Sequence, residues 1–437
     1  MQFLMKYWFN IRHNIFQTIQ PICRTMKWFG FMPFTLVSHP HAQPHPPREG
    51  AQSHPTAACL EVKTTDALLL AGWQLYILHW FFTDWLDDLH EMPMSKIMIY
   101  FSISIYFVEA ALLCSVQLLV AFSKAKIEET LRLVKFTDDL LEQFAVGVNH
   151  RRQHLGSILL IFGSIICAGL IFVAEYTVGR QLEGPLTDVW SKYYTTATVC
   201  YYDAMRLIQV CPLVVFIGGL LMFKSRFRML NYAFRSYFNR QRKNLNDEEV
   251  KTFLRFTAIC HDTLTDAVTT FCDVFSFQVT SACTTFILVN IFSMYTIGAL
   301  FSRHTPDVVY LSLFYGLANL LYALHIIPII KLGSDVRDEG TRMAVLVHKA
   351  INQSTLSDRS IDRLRLFSRQ LQQQTPNVSG GMFSFDWTLC FSIFSATATY
   401  VVIMVEFELD VPQFFIDSLK PSTGNLTSRG LILNDTH

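Results

Sequence analysis

One stretch near the end of the chain, residues 387–405, runs for 19 positions without a charged side chain. At about 1.5 Å of rise per residue, a helix of this length is just long enough to cross the hydrocarbon core of a bilayer. Ser392, Ser395, Thr399 and the following Glu406 recur at helical spacing within or just beyond it and therefore share one helical face. Small polar groups leading to a terminal carboxylate predict a membrane helix that packs on neighbours or contacts water.

The composition of the whole chain agrees with a membrane protein. Of 437 residues, 51% are hydrophobic and only 16% are charged, whereas a soluble domain would carry about 25% charged residues. The net charge of +1 gives no indication of a nucleic-acid partner. No Gly-rich phosphate loop, HExxH motif or paired CxxC motif is present. The sequence therefore predicts no enzyme, no cofactor and no metal site.

Seven apolar stretches predict an all-α membrane protein. We expect the spans at 66–84, 97–122, 154–177, 194–223, 274–301, 308–330 and 383–407. Of the 36 Lys and Arg residues, 29 lie in the N-terminal segment and in the loops after spans two, four and six, six lie in the alternate segments, and Arg206 lies within span four. The positive-inside rule then predicts a cytoplasmic N-terminus and an extracellular C-terminus. The sequons at Asn425 and Asn434 fall in the predicted outer tail and are candidate glycosylation sites.

The segments outside the spans divide the chain further. Residues 1–65 form a predicted cytoplasmic segment with a Pro-rich spacer, whose His39, His41, His45 and His54 are interpreted as spacer residues because proline breaks up a fixed ligand geometry. Residues 66–407 form the transmembrane domain, and 408–437 form the extracellular tail. Helical patterns continue into the cytoplasmic segments 123–153, 224–273 and 331–380. Such extensions predict an inner domain suited to holding subunits together.

The last span carries a family resemblance. The sequence from Thr399 and Tyr400 through Glu406 to Phe407, TYVVIMVEF, resembles the TYxVIxxQF signature of insect gustatory receptors, and 381–398 resembles the segment that precedes it. The resemblance is specific over about 30 residues. In the rest of the chain it concerns only the topology, namely seven spans, a cytoplasmic N-terminus and long second and third inner loops. It implies a homotetrameric or heterotetrameric ligand-gated, non-selective cation channel, anchored by its cytoplasmic helices. It also implies a plasma-membrane location, on the dendrite of a sensory neuron, and opening by a small tastant.

Two positions depart from the family pattern. Glu406 stands where the family usually has Gln, and Val401 stands where the sweet-sugar receptors often have Glu after Thr-Tyr. The second departure argues against that group. A bitter or plant-derived compound is favoured because that group is the largest, while fructose and carbon dioxide remain open as ligands.

In the tetramer that the resemblance implies, Thr399, Ile403 and Glu406 are the candidate pore residues. Four copies of Ile403 would form an apolar ring that blocks ions by dewetting, and four copies of Glu406 would form a carboxylate ring that attracts cations. The alternative is that Glu406 is a solvated residue at a helix end and Ile403 belongs to the core.

The ligand pocket is expected among polar and aromatic side chains in the spans, because such pockets combine aromatic walls with a few placed polar groups. The candidates are Glu109, Tyr176, Tyr202, Asp203, Arg206, Tyr310, Asn319 and Tyr322. Asp203 and Arg206 stand three positions apart on the fourth span, so they are expected to be able to pair. Such a pair would serve either helix packing or ligand contact.

Two other functional classes compete with a channel. A seven-span metabotropic receptor that signals through a second messenger is disfavoured by the cytoplasmic N-terminus. A transporter is disfavoured because the sequence shows no internal repeat. The expected partners are therefore the tastant, permeant cations, the lipid bilayer and related subunits.

Overall fold

The computed structural model describes residues 15–38, 58–83, 96–144, 146–182, 196–240, 247–302, 306–353, 356–381 and 383–410. These residues form ten helices: α1 (Ile15–Trp28), α2 (Thr64–Thr83), α3 (Lys96–Phe122), α4 (Lys124–Gln143), α5 (His150–Leu182), α6 (Thr196–Arg240), α7 (Asp247–Ser302), α8 (Pro306–Gln353), α9 (Asp358–Gln373) and α10 (Trp387–Asp410). They also form two short antiparallel strands, β1 (Thr35–Ser38) and β2 (Ala58–Glu61), in which Thr35 faces Glu61 and Ser38 faces Ala58. The sequence predicts an all-α chain; the structure confirms that it is mainly helical and adds one short two-stranded sheet.

Each predicted span falls on one of these helices. By length and composition, α5, α6, α7, α8 and α10 could each cross a membrane, and α3 with α4 makes a sixth candidate bent by 59°. Helix α2, which holds the first predicted span, is not among the six candidates that the described part of the chain contains. Seven predicted spans thus correspond to five or six apolar helices within the described residues.

The segment before the first span is more structured than predicted. Helix α1 buries Ile15, Ile22 and Met26 against the bundle. The side chain of Lys27 forms an ion pair with Asp66 at the start of α2. These long-range contacts cannot be read from local sequence. The predicted Pro- and His-rich spacer lies outside the described residues, between the two strands.

The core is built by α6, α7 and α8, which continue well beyond the predicted spans. Phe216 of α6 stacks on Phe271 of α7 with ring centroids 5.4 Å apart and an interplanar angle of 12°. Gly219 makes this contact close, because a Cβ there would lie 2.2 Å from the Phe271 ring. Large aromatic side chains and one small residue therefore set the distance between α6 and α7.

Charged side chains tie the extended parts of the helices together. Arg226 of α6 is fully buried and forms a two-pronged contact with Asp138 of α4, with N–O distances of 2.7 and 2.6 Å. Lys224, two residues earlier, donates to Asp335 of α8 at 2.7 Å. Such a paired geometry satisfies both charges without water, so α4, α6 and α8 are fixed relative to one another.

A tight turn delivers the chain into α10. The amide of Phe385 donates to the carbonyl of Val378 at 2.9 Å, and Gly333 of α8 leaves room for the Phe385 carbonyl, which would lie 2.3 Å from a Cβ at that position. The Asp386 carboxylate then accepts the amide of Thr388 at 2.9 Å, as a helix cap does. Hydrogen bonds from Thr388 are the main reason that the pKa of Asp386 lies below its ordinary value. The last helix consequently begins at Trp387, four residues later than the predicted span.

Candidate functional site

Helix α10 packs on the bundle through a narrow ridge. Leu389, Ile393 and Thr397 are buried at four-residue spacing, and α10 rests on α7 and α8. Phe391 and Phe394 stand on the outer side, 73% and 58% exposed. Most of the circumference of this helix is therefore uncovered in the single chain.

Between the buried ridge and these phenylalanines lies an exposed stripe formed by Ser392, Ser395, Thr399 and Ile403. All four residues are exposed, and they border an open groove of about 610 Å³. The Thr399 hydroxyl donates to the Ser395 carbonyl at 2.9 Å, and its oxygen can still accept a hydrogen bond. Glu406 continues the same stripe and is exposed. The structure thus brings the three predicted pore residues onto one free face.

A chain of amides connects α10 to its neighbours. The side-chain amide of Asn290 on α7 donates to the Thr397 hydroxyl at 3.3 Å. Asn319 of α8 in turn donates to the Asn290 side chain at 3.4 Å and to the Val289 carbonyl at 3.5 Å. Sequence reasoning selected Asn319 but missed Asn290 and Thr397. Isolated amides and hydroxyls inside otherwise uncharged spans are the signal that points to them.

Arg206 is the centre of a second site. Its guanidinium is nearly buried, and Nη1 donates to Oε1 of Glu175 on α5 at 2.5 Å. The same group lies over the ring of Phe314 on α8, 4.2 Å from the centroid, in a cation–π arrangement. The side chain of Asp203, the partner expected from spacing, lies outside the described residues. Among described side chains, Arg206 pairs with a carboxylate on another helix.

Two further candidates approach this guanidinium. Glu109 of α3 interacts electrostatically with Arg206, and the buried Tyr322 of α8 interacts with both. We refer to Glu109, Glu175, Arg206, Phe314 and Tyr322 as the Arg206 cluster. It joins four helices at one level and mixes charge with aromatic surface, which is the composition expected of a binding pocket for a small amphipathic molecule.

The remaining predicted residues are distributed differently. Tyr176 follows Glu175 on α5 and stacks with Phe172 at a centroid distance of 6.2 Å. Tyr400 of the family signature is exposed. The side chains of Tyr202, Tyr310 and Phe407, and the sequons at Asn425 and Asn434, lie outside the described residues.

Comparison with known proteins identifies the class. Residues 19–410 match the 7tm Chemosensory receptor family, and the chain belongs to that family. A 100-residue stretch, 23% of this chain, is 30% identical to "Putative gustatory receptor 28b" of Drosophila melanogaster and covers about a fifth (21%) of that protein. The resemblance to gustatory receptors is therefore confirmed at the family level.

The fold is also found in solved structures. The insect olfactory receptor OR5 from Machilis hrabei superposes with a TM-score of 0.58 at 12% sequence identity, over 89% of this chain and 97% of that one. The same receptor in complex with eugenol gives a TM-score of 0.52 at 13% identity, with the same coverage. At such identities the likeness shows a common fold.

Proposed function

We propose that this protein is one subunit of a tetrameric, ligand-gated, non-selective cation channel, with α10 of each subunit lining a central pore. The observation that carries the proposal is the exposed stripe of Ser392, Ser395, Thr399 and Ile403 on α10, here called the channel face. Serine and threonine side chains on an uncovered membrane helix are expected to meet water or another helix rather than lipid. Four copies of α10 around one axis would give these hydroxyls a common aqueous path.

Ile403 and Glu406 have different proposed roles along this path. Ile403 lies on the channel face next to Thr399, so four copies form a narrow apolar ring that closes the pore by dewetting. Glu406 lies one turn beyond and is exposed. Four carboxylates at that level concentrate cations and repel anions. In this proposal, gating by Ile403 and cation attraction by Glu406 take place at two different levels of the pore.

The Arg206 cluster is the proposed site of ligand action. The olfactory receptor OR5 from Machilis hrabei, which shares this fold, has been solved in complex with eugenol, and we propose that this chain likewise takes a small organic molecule. A bitter or plant-derived tastant suits a site that combines a guanidinium, carboxylates and aromatic rings, and a fructose-type sugar suits its hydrogen-bonding groups. The proposed place of action is the plasma membrane of a sensory neuron, at its dendrite.

Substitution of Glu406 tests the pore assignment. Glu406→Gln is expected to keep ligand-gated current but to weaken block by calcium, since the divalent ion loses its carboxylate ring. Glu406→Lys is expected to lower cation permeability much more. The measurement is the reversal potential and calcium block in voltage-clamped cells.

Glu248→Gln serves as the control for that experiment. Glu248 lies at the start of α7, far along the chain from the channel face, and its partner Lys251 is on the same helix. The Glu248→Gln variant should leave the reversal potential and the calcium block unchanged. If both Glu406 variants conduct and show wild-type reversal potential and block, Glu406 does not face the pore.

Excised patches separate a channel from the two competing classes. A ligand-gated channel opens in a patch that contains no nucleotide, whereas a metabotropic receptor needs a soluble second messenger. Unitary currents also exceed what an alternating-access transporter can carry. A ligand response seen only in intact cells would favour the metabotropic alternative.

A further inference from the structure

A cavity of about 1000 Å³ lies between α1, α4, α5, α6 and α7. Gly218 and Gly219 of α6 form part of its wall, and Ile22, Leu131 and Phe275 supply apolar surface from three other helices. The volume is at the upper end of what small-molecule sites enclose. It is separate from the Arg206 cluster, because no residue of that cluster lines it, and Val215, the first lining residue on α6, stands nine residues beyond Arg206, or about 13 Å along a helix.

One side of this cavity is basic. Arg152, Lys224 and Arg228 line it, and its described lining contains no Asp or Glu. Lys224 is paired with Asp335. Arg152 and Arg228 are exposed, and no carboxylate of the described residues lies within salt-bridge distance of either. Two guanidinium groups are thus available to an anion at the mouth.

The same mouth offers an unused hydrogen-bond acceptor. Oε1 of Gln153, a lining residue, is buried and receives no hydrogen bond from the described part of the chain. A buried acceptor without a donor is costly, so an occupant that carries a hydroxyl or ammonium group would be favoured here. A complementary ligand would therefore carry an anionic group and a hydrogen-bond donor at one end and an apolar group at the other.

The position of the mouth on α5 marks the membrane boundary. Arg151 and Arg152 come directly after the start of this helix, and an apolar stripe at three- and four-residue spacing follows. The stripe consists of Leu155, Leu159, Phe162, Ile166 and Leu170, which are between 45% and 66% exposed. Exposed large apolar side chains on a membrane helix face lipid tails. The basic mouth is therefore at headgroup level, and the apolar interior continues the hydrocarbon layer.

We propose that this cavity binds an anionic glycerophospholipid from the adjoining leaflet. Arg152 and Arg228 hold its phosphate, Gln153 accepts a headgroup donor, and one acyl chain occupies the apolar space beside Gly218. In the proposed orientation this leaflet is the cytoplasmic one, which carries the anionic lipids that attract basic residues. The bound lipid would fill the space between α1 and the bundle.

Photocrosslinking of the full-length protein tests this site. The purified protein is reconstituted in phosphatidylcholine vesicles that contain a minor fraction of phosphatidylserine with a diazirine on one acyl chain. After illumination, mass spectrometry is expected to find adducts on peptides of α1, α5 and α6 that line the cavity. Unlabelled phosphatidylserine should compete, whereas added inorganic phosphate or free glycerophosphoserine should not, because neither has an acyl chain.

Two variants and two matched controls decide the result. Gly156 lines the mouth and Gly163 lies two turns further along α5, and a Cβ at either meets no atom within 4 Å. Gly156→Leu should reduce cavity adducts several-fold, and Gly163→Leu should not. The double variant Arg152→Gln with Arg228→Gln should raise the amount of unlabelled phosphatidylserine needed for half-maximal competition about thirtyfold. Each substitution removes one basic contact with the lipid, and the two losses multiply. Arg151→Gln should leave it unchanged.

The opposite pattern would overturn the proposal. Adducts confined to the exposed stripe of α5, or cavity adducts that persist in Gly156→Leu and in the double arginine variant, would show that no lipid occupies the cavity. Displacement by inorganic phosphate alone would show an anion site without lipid selectivity. Should Gly156→Leu fail to fold, the arginine variants, whose side chains are exposed, give the same decision.

Discussion

At the scale of single residues, the pair between Arg206 and Glu175 matters most. A charge inside a membrane bundle is costly unless it is paired, and these two groups lie on different helices at an N–O distance of 2.5 Å. The Phe314 ring covers the guanidinium from α8. The pair and the ring contact therefore hold α5, α6 and α8 together.

Loss of the Glu175 charge is expected to destabilise the protein. Glu175→Gln removes the carboxylate that forms the buried ion pair with Arg206 and leaves Glu109 as the remaining described carboxylate that interacts with the guanidinium. Breaking a buried pair in this way costs about 3–5 kcal/mol. The expected result is lower surface expression and a lower midpoint of thermal unfolding of the purified protein.

Asp203→Asn provides the matched comparison, since Asp203 is the neighbour suggested by spacing. Asp203→Asn should lower surface expression and the midpoint of thermal unfolding less than Glu175→Gln does. The exchange Glu175→Arg with Arg206→Glu should recover part of the lost stability. If Asp203→Asn is as damaging as Glu175→Gln, the pairing of Arg206 is shared between both carboxylates.

At the scale of elements, α10 is attached to the bundle by a narrow buried ridge and by one interhelical hydrogen bond. Only a narrow apolar ridge is buried, yet Thr397 within that ridge is hydrogen-bonded to Asn290 of α7, which meets Asn319 of α8. A helix held mainly by one ridge and one polar contact is well suited to move as a unit. The amide chain links it to α8, which also carries Phe314 and Tyr322 of the Arg206 cluster.

Removal of the Thr397 hydroxyl is expected to loosen α10. Thr397→Val keeps the shape of the side chain but leaves the Asn290 amide without its acceptor, at a cost of about 1 kcal/mol for an interhelical hydrogen bond in a membrane. The midpoint of thermal unfolding should fall accordingly. Thr399→Val is the control, because that hydroxyl bonds only within its own helix in the described structure. Equal effects of the two substitutions would show that the interhelical bond contributes nothing.

At the scale of the whole molecule, the long helices form one body that extends beyond the apolar spans. The Arg226–Asp138 contact is its most buried ion pair in the described residues, with the arginine side chain fully inaccessible. It joins α6 to α4, the helix that turns away from α3 by 59°. The bend is thus fixed by a specific partner rather than by the local sequence alone.

Neutralising Asp138 is expected to release this bend. Asp138→Asn leaves the Arg226 charge buried without its carboxylate, and the expected loss of stability is about 3–5 kcal/mol. Glu129→Gln on the same helix breaks an exposed pair with Arg132 and should cost less than about 1 kcal/mol. Unfolding midpoints of the two purified variants are compared. Similar midpoints would show that the buried pair does not hold α4.

The proposed orientation of the whole chain has a direct test. The asymmetry of 29 against six basic residues predicts a cytoplasmic N-terminus and an external tail. An epitope inserted after Asp435 should be stained on intact cells. Staining that requires permeabilisation, in cells with confirmed surface expression, would reverse the orientation.

The positions of the long helices and the family signature could be predicted because both are local properties. A run of uncharged residues makes a helix wherever backbone groups must bond within their own segment, and TYVVIMVEF is legible without any partner. The stripe from Ser392 to Glu406 was visible for the same reason, since helical spacing alone places it on one face.

Other features depended on contacts between distant parts of the chain. Only the tertiary structure decided that Arg206 pairs with Glu175, 31 residues away, that α1 docks on the bundle, and that a cavity lies between α1 and α6 beside Gly218 and Gly219. A pairing partner or a void depends on how several helices pack, and many sequences with the same local periodicity would pack differently. For this protein, local sequence determined which segments become helices, and side-chain packing between helices decided where charge, polar contacts and empty space are found.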